Sequence, residues 1–388
     1  MRFLTLQSQG RNDGSSPSVS LVDIFLKAKD LERKGKDVIH FDAGEPDYEP
    51  PKQVVEATIR ALREGKGRYT ESSGIPEAKK AICENLKRKI GKDVSSKQVL
   101  VTSGGRMALY YAFTTLPKTS KIGIFSPDWP AYRDLARFMG YPVQFFQGKL
   151  ENGWDVDIEE IKRSDCGAIV LNYPNNPTGK ILDLSEFEEI IKVAIEKKLT
   201  VISDEVYSDF IFNNQKRFKS VLETKGVHYV FVTSLSKSYV MTGFRAAYVV
   251  SDETTTTQMS KLNGLIMTSA PEFVQYAIIA AMGCDDFVKE KVELIKSRRD
   301  VAVRALKQRL NAELYVPDGS LYIFPRLQNP NGTFDSGKFA LELLEKRFVS
   351  VSPGTSFGSS YNDHIRMTLL QDEKRIEEGI ERMAQLIM

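Results

Sequence analysis

An α/β architecture is to be expected from this chain: a large domain with a mostly parallel sheet flanked by helices, plus a smaller α+β domain formed by the N-terminal arm and the C-terminal part. Three features point there. Between Gln98 and about Ala270, short runs that are apolar throughout alternate with amphipathic stretches, as in strands buried on both faces by helices. After Pro271 the pattern changes to long helices with charged faces, then to a strand-and-helix alternation. At 388 residues, and roughly 100–200 residues per domain, there is room for two domains. The expected divisions are 1–45 for the arm and part of the small domain, 46–275 for the large domain and 276–388 for the small C-terminal domain.

In chain order, the stretch to about Ser20 is polar and rich in Ser, Asn and Gly, which suits an irregular arm. Leu21, Ile24, Phe25, Ala28 and Leu31 recur at helical steps. Asp37 to Asp42 reads as a strand running into Gly44-Glu-Pro-Asp47. The strands of the large sheet are expected at Gln98–Thr102, Lys121–Phe125, Pro142–Phe146, Ala168–Asn172, Leu199–Ser203, Tyr229–Thr233 and Ala246–Val250, with a helix such as Ser185–Lys198 between neighbours. Helices over about 272–310 follow, then Leu321–Phe324, Lys338–Lys346, Val349–Ser352 and Ile365–Leu369. A last helix carries Ile376, Ile380, Met383 and Ile387 on one face.

Charge and composition exclude several functions. Lys and Arg number 54 against 51 acidic residues, too balanced to suggest nucleic acid or an anionic membrane as partner. Cys83, Cys166 and Cys284 stand far apart and form no CxxC, so a reducing, cytoplasmic home is expected. Met1 to Gly10 lacks the continuous apolar core of a signal peptide, and no run approaches the roughly 20 apolar residues of a membrane span. The three histidines, His40, His228 and His364, have no metal-ligand spacing, so no metal is expected.

Polar residues collect at the carboxyl ends of the expected strands, where open α/β sheets bind ligands. Gln98–Thr102 runs into Ser103-Gly104-Gly105-Arg106 and then a helical stretch, leaving free N–H groups that could cradle a phosphate. An ordinary tight turn would read the same. Ala168–Asn172 ends in Tyr173-Pro-Asn-Asn-Pro-Thr-Gly179. Leu199–Ser203 delivers Asp204-Glu-Val-Tyr207, and Tyr229–Thr233 delivers Ser234-Leu-Ser-Lys237, with Arg245 eight residues beyond the lysine.

Together with Gly44-Glu-Pro-Asp47, Tyr69 before Ser72-Ser-Gly-Ile-Pro76, Pro127-Asp-Trp129 and Arg366, these motifs resemble the class I aminotransferases of the aspartate aminotransferase family, which are fold type I pyridoxal-phosphate enzymes. The resemblance runs from about Ser18 to the C-terminal helix. It implies that Lys237 holds pyridoxal phosphate covalently and then serves as general base and acid. Asp204 would pair with the pyridinium nitrogen, Tyr207 and Asn176 with the ring's phenolate oxygen, and Trp129 would stack on the ring. The phosphate would be held by N–H groups of Gly105 and Arg106, by Ser234, Ser236 and Arg245, and by Tyr69 of a second subunit in a homodimer with shared sites. Arg366, with Gly44, Asn176 and Trp129 around it, would take the substrate α-carboxylate.

Some prokaryotic relatives carry a lysine after the two glycines, where this chain has Arg106; the expectation is that Arg106 meets a distal carboxylate. Aspartate or glutamate would then be the donor and a 2-oxo acid such as 2-oxoglutarate the acceptor, in a ping-pong cycle through the pyridoxamine form of the cofactor. Alanine or aromatic transamination, a lyase or decarboxylase reaction, and a non-catalytic regulator that binds the cofactor are the alternatives. Ala270 stands where relatives often carry Asn, which loosens the inference about substrate.

Overall fold

The computed structural model describes residues 19–213, 217–328 and 333–387, so the expected irregular arm lies outside the described residues apart from its last two. The first helix, α1 (Leu21–Arg33), opens on a capping box: Ser20 Oγ accepts from the Asp23 N–H while the Asp23 carboxylate accepts from the Ser20 N–H. It buries Ile24 and Ala28, whereas Phe25 of the expected apolar stripe is 40% exposed, because only one edge of the stripe meets the core. Strand β1 is only Ile39–His40, the part of Asp37 to Asp42 that finds a partner. Helices α2 (Lys52–Arg63) and α3 (Pro76–Ile90) precede the large sheet.

That sheet is built from β2 (Val99–Ser103), β3 (Ile122–Ser126), β4 (Val143–Gln147), β5 (Ala168–Asn172), β6 (Thr200–Asp204), β7 (His228–Ser234) and β8 (Ala246–Val250), in the order β2-β8-β7-β6-β5-β3-β4. Each lies within a residue of its expected position. Helices α4 (Gly105–Thr114), α5 (Ala131–Phe138), α6 (Ile158–Arg163) and α7 (Leu184–Glu196) connect successive strands. The sequence pattern is explained by the packing. Val101, Ile169, Val201 and Phe231 enter one core, and their chain neighbours Leu100, Val170, Ile202 and Val232 enter another on the opposite face.

One strand is reversed. Between β7 and β8 the chain has only the short helix α8 (Leu235–Ser238) and a turn, too little for a parallel crossover, so β8 pairs antiparallel with both β7 and β2. The reversal brings the start of β8 to the same edge as the ends of its neighbours: Ser103 stands opposite Ala246, Ser234 opposite Ala247, and Asn172 opposite Asp204.

The chain leaves the sheet through α9 (Glu253–Ile266). The helical region expected over about 272–310 is two helices, α10 (Glu272–Ala281) and α11 (Asp285–Leu310), broken around Gly283. Beyond them β9 (Tyr322–Ile323), α12 (Ser336–Arg347), β10 (Val349–Ser350), β11 (Ser352–Pro353), β12 (Ile365–Thr368) and α13 (Glu373–Ile387) complete the fold. The single strand expected over Val349–Ser352 divides between two sheets. Its first half pairs parallel with β1, and its second joins the antiparallel set β11-β12-β9. Helix α13 buries Ile376, Ile380 and Met383 as expected, with Ile387 only half-buried. These residues share one core with Ile24, Ile39 and Phe41, so the N-terminal segment packs with the C-terminal third.

Candidate active site

Asp204 closes β6 and is fully buried. Its Oδ2 accepts from the Tyr132 hydroxyl at 2.7 Å and its Oδ1 from the Val206 N–H at 3.3 Å. Burial pushes the carboxyl up to about 6, against the pull of those two hydrogen bonds, and no cation among the described residues contributes. Asn172, opposite it on β5, donates Nδ2 to the Asp204 carbonyl at 3.1 Å and accepts the Asn176 N–H at 3.0 Å. Asn175 fastens the same loop, its Oδ1 accepting from the Thr178 N–H and hydroxyl. Asn176 is thereby held buried beside Asp204's strand.

Lys237 sits on α8, and its Nζ donates to the Gly44 carbonyl at 2.5 Å. Gly44 has no room for a side chain, since a Cβ there would stand 2.2 Å from the Tyr322 hydroxyl and 3.4 Å from Lys237 Nζ. The Tyr322 hydroxyl is 3.0 Å from that of Tyr207. Burial drives the Tyr207 phenol upward; for Tyr322, burial is outweighed by the Lys237 and Arg366 charges, which bring its phenol down.

Arg366, on β12, is buried. Its Nη1 donates to Asn176 Oδ1 at 3.3 Å, and its Nη2 to Ser352 Oγ at 3.0 Å and to the Asp42 carbonyl; Nε has no partner among the described residues. The guanidinium carbon lies 4.5 Å from the Tyr322 ring centroid and 4.9 Å from that of Phe357. None of its partners is a carboxylate.

The glycine turn forms a second corner. Gly104 has φ +90°, so the backbone requires glycine, and a Cβ there would lie 2.2 Å from Arg245 Nη2 and displace the guanidinium. No side chain caps α4, leaving its first N–H groups, those of Gly105 and Arg106, directed into this corner. Ser234 Oγ donates to Ser236 Oγ at 2.8 Å and accepts the Ser236 N–H at 3.2 Å, and the buried Ser103 Oγ has no partner among the described residues. Arg245 is exposed, with Nη1 donating to the Thr242 carbonyl at 2.7 Å.

Trp129 is half-buried at the start of α5, edge-on to Tyr132 with ring centroids 5.4 Å apart. The Arg106 guanidinium lies over its indole at 5.3 Å. Tyr69 is not drawn into the cluster; it is 87% exposed, beside Arg68 and Thr70, whose N–H groups donate to Glu272 and Ser269. Sequence reasoning missed Tyr132, Tyr322, Asn172 and Ser352. Tyr132 alone carried a local signal, lying one helical turn beyond Trp129.

Comparisons with known proteins agree with this geometry. The family described as aminotransferase class I and II matches residues 36–383. The chain is 35% identical over 382 residues to a probable aspartate/prephenate aminotransferase of Aquifex aeolicus, covering 95% of each. The crystal structure of aspartate aminotransferase from Thermotoga maritima superposes with a TM-score of 0.88 at 30% identity, over 95% of this chain and 97% of that one. Alanine aminotransferase from Pyrococcus furiosus does so with a TM-score of 0.88 at 31% identity, over 95% and 96%.

Proposed function

The chain belongs to the class I and II aminotransferases, and we propose from that premise that it moves the amino group of aspartate or glutamate to a 2-oxo acid such as 2-oxoglutarate, with pyridoxal phosphate as cofactor. One observation carries the reading: Asp204 and Arg366 are buried charges of opposite sign, and neither pairs with the other or with another charged side chain among the described residues. Leaving a buried charge uncompensated costs several kcal/mol, so such groups persist where a ligand completes them. A pyridinium N–H answers Asp204, and a substrate carboxylate answers Arg366. The turn at Gly104–Arg106 with the Ser234, Ser236 and Arg245 side chains, the orphaned Ser103 hydroxyl among them, suits a phosphate.

When bound, pyridoxal phosphate supplies a carbonyl for the amino group and a cationic ring that withdraws electrons from the substrate α-carbon. Asp204 would keep the ring nitrogen protonated, Tyr207 and Asn176 would hydrogen-bond the ring oxygen, and Trp129 would pack on the ring. Lys237 would hold the cofactor through Nζ, and the same amine would serve as the base and acid that moves a proton at the substrate α-carbon. Arg366 would grip the α-carboxylate from beside the Tyr322 and Phe357 rings, which help to keep water from the guanidinium. The Gly44 N–H supports the same carboxylate.

We place the enzyme in the cytoplasm as a homodimer. Val55, Ile59 and Leu62 are exposed on the side of α2 away from its buried Val54, Ala57 and Ala61, and Leu265 and Tyr69 are exposed as well. Covering this apolar face with a second copy brings Tyr69 of each protomer toward its partner's phosphate corner.

Arg106 is assigned to the distal carboxylate. Its place on the Trp129 indole needs no carboxylate, however, and with the likeness to an alanine aminotransferase this favours alanine as the second reading. The test compares aspartate, glutamate, prephenate, alanine and phenylalanine as partners of the yellow protein, in the wild type and in Arg106→Ala. An aspartate advantage that falls in the variant supports the first reading, and one that is absent or survives refutes it. Borohydride should fix the cofactor on Lys237; a colourless protein that takes no label would overturn the cofactor assignment.

A further inference from the structure

We propose that Tyr322 is a positioning residue that serves both halves of the site, its ring aligning Arg366 for the substrate carboxylate and its hydroxyl aligning Tyr207 for the cofactor oxygen. The inference rests on the aminotransferase reading above and adds to it a residue that no sequence motif marked.

The ring half follows from the surroundings of Arg366. Its polar contacts among the described residues are all neutral oxygens, those of Asn176, Ser352 and Asp42. Neutral acceptors at the Nη atoms do not fix the tilt of the guanidinium plane about them. Two aromatic faces do: Tyr322 at 4.5 Å on one contact and Phe357 at 4.9 Å on another. A cation over a ring is attracted by the ring's negative face, more strongly when water is excluded. The ring itself is fixed by its backbone, since Tyr322 stands opposite Thr368 on β12, two residues along the strand from Arg366.

The hydroxyl half follows from the Tyr207 contact. The two phenols meet at 3.0 Å with their rings edge-on, centroids 5.5 Å apart. Only one of the two can donate. If Tyr322 donates to the Tyr207 oxygen, the Tyr207 proton is left free to point at a ligand oxygen, and it is a better donor for being an acceptor at the same time. The side chain of residue 44 is excluded from this meeting point, because a Cβ on Gly44 would run into the Tyr322 hydroxyl. One residue on a two-residue strand thus links the carboxylate clamp to the group that faces the cofactor.

Two variants separate the halves. Tyr322→Phe keeps the ring and loses the hydroxyl. KM for aspartate should stay within about twofold, while the pH midpoint of the bound cofactor's visible absorbance moves up by about half a unit or more, as Tyr207 becomes a poorer donor to the ring oxygen. Tyr322→Leu loses both, so the same upward shift should be joined by a rise in KM of about tenfold or more. A merely structural role would instead lower the melting temperature, cofactor affinity and kcat together, with no split between the variants. If KM and the midpoint are unchanged in both variants while the wild type binds cofactor and transaminates, the proposal is overturned and the aminotransferase reading stands. A wild type that binds no cofactor overturns both. Should Tyr322→Leu fail to fold, an unmoved midpoint in Tyr322→Phe is sufficient to refute the link.

Discussion

The Tyr132 hydroxyl stands 2.7 Å from Asp204 Oδ2 and, among the described residues, is the one side chain that donates to this buried carboxylate. Both ends of the contact are set by regular structure, Asp204 by the last pairing of β6 and Tyr132 by α5, which also begins beside Trp129. The donor to Asp204 and the indole proposed for the cofactor ring are thus neighbours, one on α5 and the other just before its first turn.

Tyr132→Phe removes the donor without altering ring packing. Asp204 then loses a hydrogen bond to its charged form, and its carboxyl should move further up. Pyridoxal-phosphate affinity should weaken by about tenfold, as expected for a hydrogen bond to a charged group. Equilibrium dialysis of the two proteins checks this, and equal dissociation constants would show that the contact is idle.

Arg366→Met should separate stability from function. The buried guanidinium has no anion among the described residues to offset its desolvation, so an apolar side chain of similar length should leave the melting temperature of the cofactor-free protein unchanged or raise it. Loss of the carboxylate clamp should lower kcat/KM by about a hundredfold, roughly 3 kcal/mol. A calorimetric scan and steady-state kinetics on one preparation decide the matter; a melting temperature many degrees lower would mean that the cation is structural.

Gly104→Ala places a methyl group where Arg245 Nη2 lies and puts a side chain at φ +90°. The backbone penalty is about 1 kcal/mol, and Arg245 must retreat from the turn. The variant should lose the preference of the wild type for pyridoxal phosphate over unphosphorylated pyridoxal. A ratio of dissociation constants that stays the same would remove Gly104 and Arg245 from the phosphate corner.

Asp128 makes stability depend on pH. Burial, only partly offset by the Arg133 guanidinium 3.5 Å away, pushes its carboxyl up to about 7. A carboxyl raised on folding contributes stability that is fully present below its unfolded pKa, near 4, and is lost as the pH rises through 7. Asp128→Asn removes that dependence. The melting temperature of the variant relative to wild type should therefore climb between pH 4 and pH 7 and level off above. A difference that is flat across this range would show that Asp128 stays ionised throughout.

The large sheet was legible because each of its central strands is apolar on both faces, and its ends carried motif residues that the fold gathers at one edge. The smaller sheets were less so: β9, β10 and β11 are two residues each, too short for an alternation to show. Two of the missed site residues, Tyr322 on β9 and Ser352 on β11, belong to the same gap. Tyr322 meets Tyr207 across 115 residues of sequence, and Arg366 reaches the Asp42 carbonyl across 324. Such contacts are set by how the elements dock, and no local spacing records them. Tyr132 lay within reach of a pattern, but a tyrosine on a short helix is as readily a packing residue, and only the placement of Asp204 distinguishes it.

Ile39 and His40 find their neighbours in Val349 and Ser350. On the ribosome the opening segment must therefore wait, unpartnered, until nearly the whole polypeptide has emerged. The seven-stranded sheet, whose strands all lie between Val99 and Val250, is under no such constraint and can form while synthesis continues. The carbonyl of Gly44, which accepts from Lys237, lies four residues beyond this late-pairing strand, so the segment that carries it is anchored by the part of the chain made near the end.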